Sequence, residues 1–216
     1  MDQLTTIQLI AIWILPIVFA VTLHEAAHGY VAYKFGDDTA YMQGRVSANP
    51  LRHIDLLGTV ILPIFLMLTT KFVFGWAKPV PVNQYKLRHP KRDFAIVALA
   101  GPLSNFLMAI IWMGILKLCL IAPKHSFIVP LVYMSQAGIM INVVLMILNL
   151  IPIPPLDGSR FIYFLLPSPW DQRFNKITPF GIVIILILIF TGVLTKMMVP
   201  GIDFVQNSLL ALFHIK

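Results

Sequence analysis

The chain has 216 residues, of which 58% are hydrophobic and 12% are charged, and its formal net charge is +7. Soluble domains carry about 25% charged residues, so this composition excludes an ordinary soluble domain and indicates an integral membrane protein with a single domain over residues 1–216. The basic residues lie in short connections between apolar runs, where they orient a chain in the bilayer, and no pattern points to nucleic-acid binding.

Five apolar stretches predict membrane segments, because a helix needs about 20 apolar residues to cross the bilayer core. The fold class is therefore all-α and polytopic, a bundle of about 4–6 membrane helices. The first stretch lacks the basic start of a secretory signal, so we expect it to be retained. A further piece at 201–214 is short for a span and is predicted either to lie in the membrane interface or to pack back on the bundle. The five stretches cover about 6–33, 56–70, 94–120, 127–150 and 177–198.

The stretch at 56–70 differs from the others, since it has only 15 residues and contains Pro63. We predict that it is a short re-entrant segment. The polar connection before it, DDTAYMQGRVSANPLRHID, has β-prone pieces between turn residues and predicts a few short β-strands near the active site. The connection after it holds the strongest positive cluster of the chain: Lys71, Lys78, Lys86, Arg88, Lys91 and Arg92.

The first stretch ends in HEAAHGY at 24–30, which places His24 and His28 one helical turn apart on the same face. Two imidazoles at this spacing can bind one zinc ion, and Glu25, the only glutamate of the chain, is placed to act as general base on a metal-bound water. The alternative is two buried, hydrogen-bonded histidines beside an unrelated acid. The cost of ionisable groups in membrane segments argues against it.

A catalytic zinc typically takes three protein ligands, and Asp157 is the best candidate for the third. It follows a long apolar stretch and the helix-breaking Pro152, Pro154 and Pro155, whereas the other acidic residues lie in terminal or connecting stretches. The sole cysteine, Cys119, lies within an apolar run and excludes a thiolate metal cluster. The alternative role for Asp157 is to cap the next helix, SRFIYFLLP.

Two asparagines lie in or near the predicted helices that carry these motifs. The amide of Asn149 either donates to the oxyanion formed when water attacks a peptide carbonyl or bonds to another helix, and spacing favours neither. In AGPLSN, Gly101 and Asn105 are one turn apart and indicate helix packing, with a supporting role for Asn105 at the metal as the alternative. The remaining histidines are predicted to lie at solvent or at the membrane interface: His53, His89, His125 and His214.

The two halves of this metal site must reach the same side of the membrane. If all five stretches crossed, three complete crossings would separate the motif end of the first stretch from Asp157. If 56–70 re-enters instead, two crossings intervene and both ends meet. That side also carries the basic loop 71–92, so we predict a zinc site toward the cytoplasm and an external N-terminus.

The segments HEAAH, GRVSANPLRHID, GWAKPVPVN, AGPLSN and LNLIPIPPLDG occur in an order that resembles the site-2 protease family of intramembrane zinc metalloproteases, over residues 20–160. The resemblance is greatest to the compact bacterial members that lack a PDZ domain. It implies one zinc ion per chain held by His24, His28 and Asp157, with Glu25 as the base. It also favours Asn149 as a substrate-positioning or oxyanion residue.

The resemblance implies a zinc-dependent endopeptidase that hydrolyses peptide bonds within or near transmembrane segments of other membrane proteins, in regulated intramembrane proteolysis at a bacterial inner membrane. Its partners would be transmembrane protein substrates and the lipid bilayer, and its oligomeric state stays open. An opened substrate chain is expected to pair with the strand-prone stretch 39–50 or with GWAKPVPV. The alternatives are a zinc-binding membrane transporter or sensor without protease activity and an inactive binder of membrane helices.

Overall fold

The all-α, polytopic architecture is confirmed in a computed structural model, which describes residues 5–61, 77–123 and 128–215. Four helical stretches within these ranges are long and apolar enough to cross a membrane: Ile7–Lys34, Pro90–Ile121, Ile128–Leu150 and Trp170–Phe190. The α-helices of the described residues are α1 (Thr6–Lys34), α2 (Thr39–Met42), α3 (Pro90–Ile121), α4 (Ile128–Leu150), α5 (Asp157–Leu165), α6 (Trp170–Asn175), α7 (Gly181–Phe190) and α8 (Val193–Leu212). Shorter helical turns cover Pro50–Arg52, Leu56–Ile61, Gln84–Lys86 and Thr178–Phe180.

The ends of the long helices follow local sequence signals. Thr5 and Gln8 form a reciprocal capping box at the start of α1. Pro90 occupies the first turn of α3, where its missing N–H costs nothing, and Asp93 accepts a hydrogen bond from the backbone N–H of His89. From Thr6, α1 continues without a break through the HEAAH motif, so the motif lies within a membrane helix.

Helices α1, α3 and α4 pack against one another, and α8 packs on α4. The side chain of Trp112 lies against Gly138, where a Cβ atom would be 2.4 Å from the indole ring, so this α3–α4 contact requires glycine. The outward face of α3 carries exposed apolar side chains one turn apart, Leu103, Leu107 and Ile111. Such a face suits lipid, because lipid tails are as apolar as leucine.

The prediction of short β-strands is wrong for the described residues. Residues 39–50 form α2 and turns, and residues 77–83 are irregular and belong to no β-strand. In residues 77–83, two backbone N–H groups bond to side chains and not to a neighbouring strand: that of Val80 donates to Glu25, and that of Asn83 donates to Asp37. Side-chain acceptors that are distant in the sequence therefore replace the ladder that a strand would need.

The helices at the C-terminal end of the chain meet at a different residue from the one predicted. Gly192, at φ 72°, ends α7 and precedes α8, so the segment predicted at 177–198 is divided there. Residues 201–214 belong mostly to α8, whose Leu209 is buried against the bundle, so this piece packs back on the bundle. In the predicted re-entrant segment, 62–70 lies outside the described residues, and re-entry stays a prediction.

Candidate metal centre

Three ligand atoms converge where the HEAAH motif of α1 meets the first turn of α5. The Nε2 atoms of His24 and His28 lie 3.1 Å apart, and each lies 3.2 Å from Oδ2 of Asp157. All three side chains are buried. The structure thus brings together the three residues that the sequence proposed as ligands, although 129 positions separate His28 from Asp157.

Backbone and side-chain acceptors fix the tautomer of both neutral imidazoles. Nδ1 of His24 lies 2.6 Å from Oδ1 of Asn105, and Nδ1 of His28 lies 2.7 Å from the carbonyl oxygen of Val97. Because both partners only accept, each Nδ1 carries the hydrogen and donates. In the neutral rings each Nε2 then presents a lone pair to Asp157.

The orientation of the Asn105 amide is itself determined by its other contacts. Its Nδ2 donates to the carbonyl oxygen of Ala20 over 3.2 Å and to Oδ1 of Asn142 over 3.0 Å. Nδ2 of Asn142 in turn donates to the carbonyl oxygen of Gly138 over 2.8 Å. Both asparagines are fully buried. The alternative role of Asn105, a support for the metal site, therefore agrees with its position, and Asn142 was not singled out from the sequence.

This arrangement fits a metal ion. Three acceptor atoms face one another, and the buried Oδ2 of Asp157 has no hydrogen-bond donor among the described residues. Lone pairs at this spacing repel unless a cation lies between them. Ligand atoms about 2.0–2.1 Å from a tetrahedral zinc ion lie about 3.3–3.4 Å from one another, close to the 3.1 and 3.2 Å seen here. Two histidines and one carboxylate are a known ligand set for catalytic zinc.

Gly101 of α3 lies directly against this centre. A Cβ atom at this position would be 2.4 Å from Nε2 of His28 and 2.5 Å from Cε1 of His24. The close approach expected from AGPLSN is therefore made to the two imidazoles, and any larger residue would displace them.

A cavity of about 120 Å³ opens beside the three ligand atoms. Glu25 lines it, and its Oε2 accepts a hydrogen bond of 2.7 Å from the backbone N–H of Val80. Asn149 lines it too, with Nδ2 donating over 3.0 Å to the carbonyl oxygen of Leu145 in its own helix. This hydrogen bond of Asn149 is therefore not interhelical, and the amide nitrogen has a second hydrogen for a ligand.

Arg160 also lines this cavity and was not predicted as a site residue. Its Nη1 lies 3.9 Å from Oδ1 of Asp157, and its guanidinium lies 4.8 Å from the ring centroid of Phe94. The signal available in the sequence was its position three residues after Asp157, which places both on one face of α5.

Among the other histidines the prediction for His53 is wrong. Its side chain is 3% exposed, and Nε2 donates over 2.9 Å to the carbonyl oxygen of Ser47. The loop folds back on itself here, which composition did not reveal. His89 and His214 are exposed as predicted, whereas His125 lies outside the described residues.

Comparison with known proteins gives one family. A family model described as Peptidase family M50 matches residues 120–189. A protein named "Putative zinc metalloprotease YwhC" from Bacillus subtilis is 34% identical over 208 residues, which cover 93% of this chain and 90% of that protein. Proteins named "Putative zinc metalloprotease Rip2" from Mycolicibacterium smegmatis and Mycobacterium tuberculosis are 24% and 27% identical, over 90% and 84% of this chain and 74% and 66% of their own. No solved structure matches.

Proposed function

Because this chain belongs to peptidase family M50, we propose that it is a zinc-dependent intramembrane endopeptidase that cleaves peptide bonds within or near transmembrane segments of other membrane proteins. The observation that carries the proposal is the convergence of His24, His28 and Asp157 within a helix bundle, with the carboxylate of Glu25 beside them. Such ionisable groups in a membrane helix are costly and mark function.

We assign the metal to the three converging ligands. A zinc ion held there would supply Lewis-acid chemistry, which polarises a peptide carbonyl and lowers the pKa of a water molecule. Glu25, at the cavity, takes the proton of the attacking water and later delivers it to the amine nitrogen that leaves. The second amide hydrogen of Asn149 is available to the carbonyl oxygen as negative charge develops on it.

The substrate helix must open locally before this chemistry, because helical hydrogen bonds occupy its backbone carbonyls. Residues that weaken helices, glycine and proline above all, should therefore favour cleavage when they lie near the scissile bond. The cavity of about 120 Å³ is too small for a whole helix, whose diameter with side chains is about 10–12 Å.

The test is cleavage of a reporter transmembrane substrate by the purified chain in liposomes, with Glu25→Gln as the variant. The exchange keeps the shape of the side chain and its acceptor for the Val80 N–H, so we expect unchanged zinc content and no cleavage. A zinc chelator should stop the wild type. Cleavage by the Gln variant would refute the mechanism. Zinc uptake into the liposomes without proteolysis would instead identify the transporter alternative.

The proposal includes a cytoplasmic-side site in a bacterial inner membrane. The backbone N–H of Arg88, before α3, donates over 3.1 Å to the carbonyl oxygen of Phe35, just after α1. A connection whose two ends are bonded together makes no net crossing, which supports re-entry of the segment 56–70. Cysteines placed at Asp38 and Arg88 should react with the same membrane-impermeant reagent from one side, and a cysteine at Ala122 from the other. Labelling of 38 and 88 from opposite sides would refute this topology.

A further inference from the structure

We propose that a second cavity, which adjoins the metal centre, is a substrate subsite that takes a large apolar or aromatic side chain next to the scissile bond and rejects basic ones. The inference rests on the proposed peptidase function and names a preference that this function alone does not give. It also assigns Arg160 as the residue that binds the substrate backbone between the two cavities.

The second cavity measures about 220 Å³, nearly twice the volume beside the metal ligands. Three aromatic residues, Phe94, Tyr163 and Phe174, form much of its wall. Aromatic rings provide large apolar contact areas and prefer other rings at an angle or offset. A concave site with aromatic walls and a few polar groups is the usual form of a site for an apolar side chain.

The two cavities adjoin each other, because Pro155 and Arg160 line both. Pro155 lies just before Asp157, and Arg160 lies one turn after it. Successive residues of an extended peptide are about 3.3 Å apart. A chain with its scissile carbonyl at the ligand triangle therefore brings the side chain of a nearby residue to the shared wall. This adjacency favours a substrate chain as the occupant.

The guanidinium of Arg160 is placed to hold that chain. It lies 3.9 Å from Oδ1 of Asp157, which is longer than a hydrogen bond. Among the described residues, this guanidinium donates no hydrogen bond. Its side chain is 32% exposed, and the group carries five N–H donors in a planar fork. A peptide carbonyl of the substrate is an acceptor that matches these donors. The cation–π contact with Phe94, 4.8 Å from the guanidinium to the ring centroid, helps to hold the group at this wall.

The same charge explains the rejection of basic residues. A lysine or arginine side chain entering between the aromatic walls would bring a second cation close to Arg160, where the partly desolvated setting strengthens repulsion. The preference predicted for this substrate position is therefore phenylalanine or leucine over alanine, and all three over lysine.

The experiment uses the full chain in liposomes and a reporter transmembrane substrate whose scissile bond is located by mass spectrometry. Each of the residues flanking that bond is changed in turn to Ala, Leu, Phe and Lys, and kcat/KM is measured. We expect one position at which Phe exceeds Ala by on the order of tenfold, the discrimination typical of an apolar pocket. Lys should be the poorest residue at that position.

Two enzyme variants connect this preference to the cavity. Phe174→Ala removes one wall, so the ratio between Phe and Ala substrates should change by on the order of tenfold at that position alone. Arg160→Gln should raise the rate for Lys relative to Phe there. Phe164→Ala is the matched control, because Phe164 lies on α5 against Phe161 and lines neither cavity, and should leave the ratios unchanged.

The possible results distinguish a failure of the subsite from a failure of the peptidase function. If the wild type cleaves the substrate but Phe174→Ala and Phe164→Ala change all rates by a common factor, the subsite is refuted and the peptidase stands. A wild type without any cleavage would refute the peptidase and the subsite together. A shift in the Phe to Ala ratio confined to one position and to Phe174→Ala would support the subsite, since a purely structural defect lowers every rate alike.

Discussion

Gly101→Ala should strongly weaken zinc binding while the helix bundle stays folded. The new Cβ would lie 2.4 Å from Nε2 of His28 and 2.5 Å from Cε1 of His24, whereas carbon atoms pack at about 3.5–4.0 Å. The imidazoles must therefore shift by about 1 Å. Metal ligands tolerate about 0.2 Å, so the shift is several times larger than the site can absorb.

The expected loss of zinc affinity follows from the hydrogen bonds that hold the two imidazole rings in place. His24 is held at Nδ1 by Asn105 and His28 by Val97, so neither ring can move without losing a buried hydrogen bond. Loss of such a supporting contact typically weakens metal binding by about 10–100-fold. With the ligand atoms displaced as well, we expect a loss of at least about 100-fold, which corresponds to about 2.7 kcal/mol.

Gly114→Ala is the control for this experiment. It makes the same exchange in the same helix, but its nearest atom, Cε1 of Phe213, would be 3.7 Å away. Zinc affinity is measured by competition with a chromogenic chelator, and folding by helix content and thermal unfolding with excess chelator present. Equal zinc affinities for Gly101→Ala and Gly114→Ala would refute the geometry of the centre.

Three further changes test other parts of the structure. Asn105→Leu removes the acceptor for the His24 Nδ1–H, and chelator competition should show zinc affinity lower by about 10–100-fold; an unchanged affinity would contradict the support role. Gly138→Ala places a Cβ 2.4 Å from the Trp112 ring, and should lower the free energy of unfolding by about 1–3 kcal/mol in a denaturant titration. Asp37→Ala deprives the Asn83 N–H of its acceptor, so hydrogen exchange around residue 83 should accelerate, and equal exchange would show that this bond does not hold the loop.

Local spacing was enough to predict that His24 and His28 face the same point, because the histidines of HEAAH lie one turn apart on any helix. Asp157 was predicted from its sequence context, as the acid that follows a long apolar stretch and a run of prolines. Burial did not single it out, since Asp37 and Asp93 are fully buried as well. Those two carboxylates accept backbone N–H groups and hold loops.

Contacts between distant helices could not be predicted from the sequence. Asn142 bonds to Asn105 across 37 positions, and nothing in its own neighbourhood marks it. The strand prediction at 39–50 failed for a different reason: Oδ1 of Asp37 accepts the N–H of Thr39, two positions later, and residues 39–42 form a helical turn. A local side-chain acceptor thus overrode an intrinsic preference that is weak and context-dependent.

The buried asparagines connect helix packing to the chemistry of the site. Apolar side chains give little net drive for association between membrane helices, so polar contacts and close packing set how helices are rotated against each other. Asn105 and Asn142 bond α3 to α1 and to α4, and the remaining acceptor of Asn105 holds the ring of His24. The hydrogen bonds that fix the rotation of three helices therefore also fix the tautomer of one ligand. A bundle rotated by a fraction of a turn would lose both at once, which makes correct assembly a condition for metal binding.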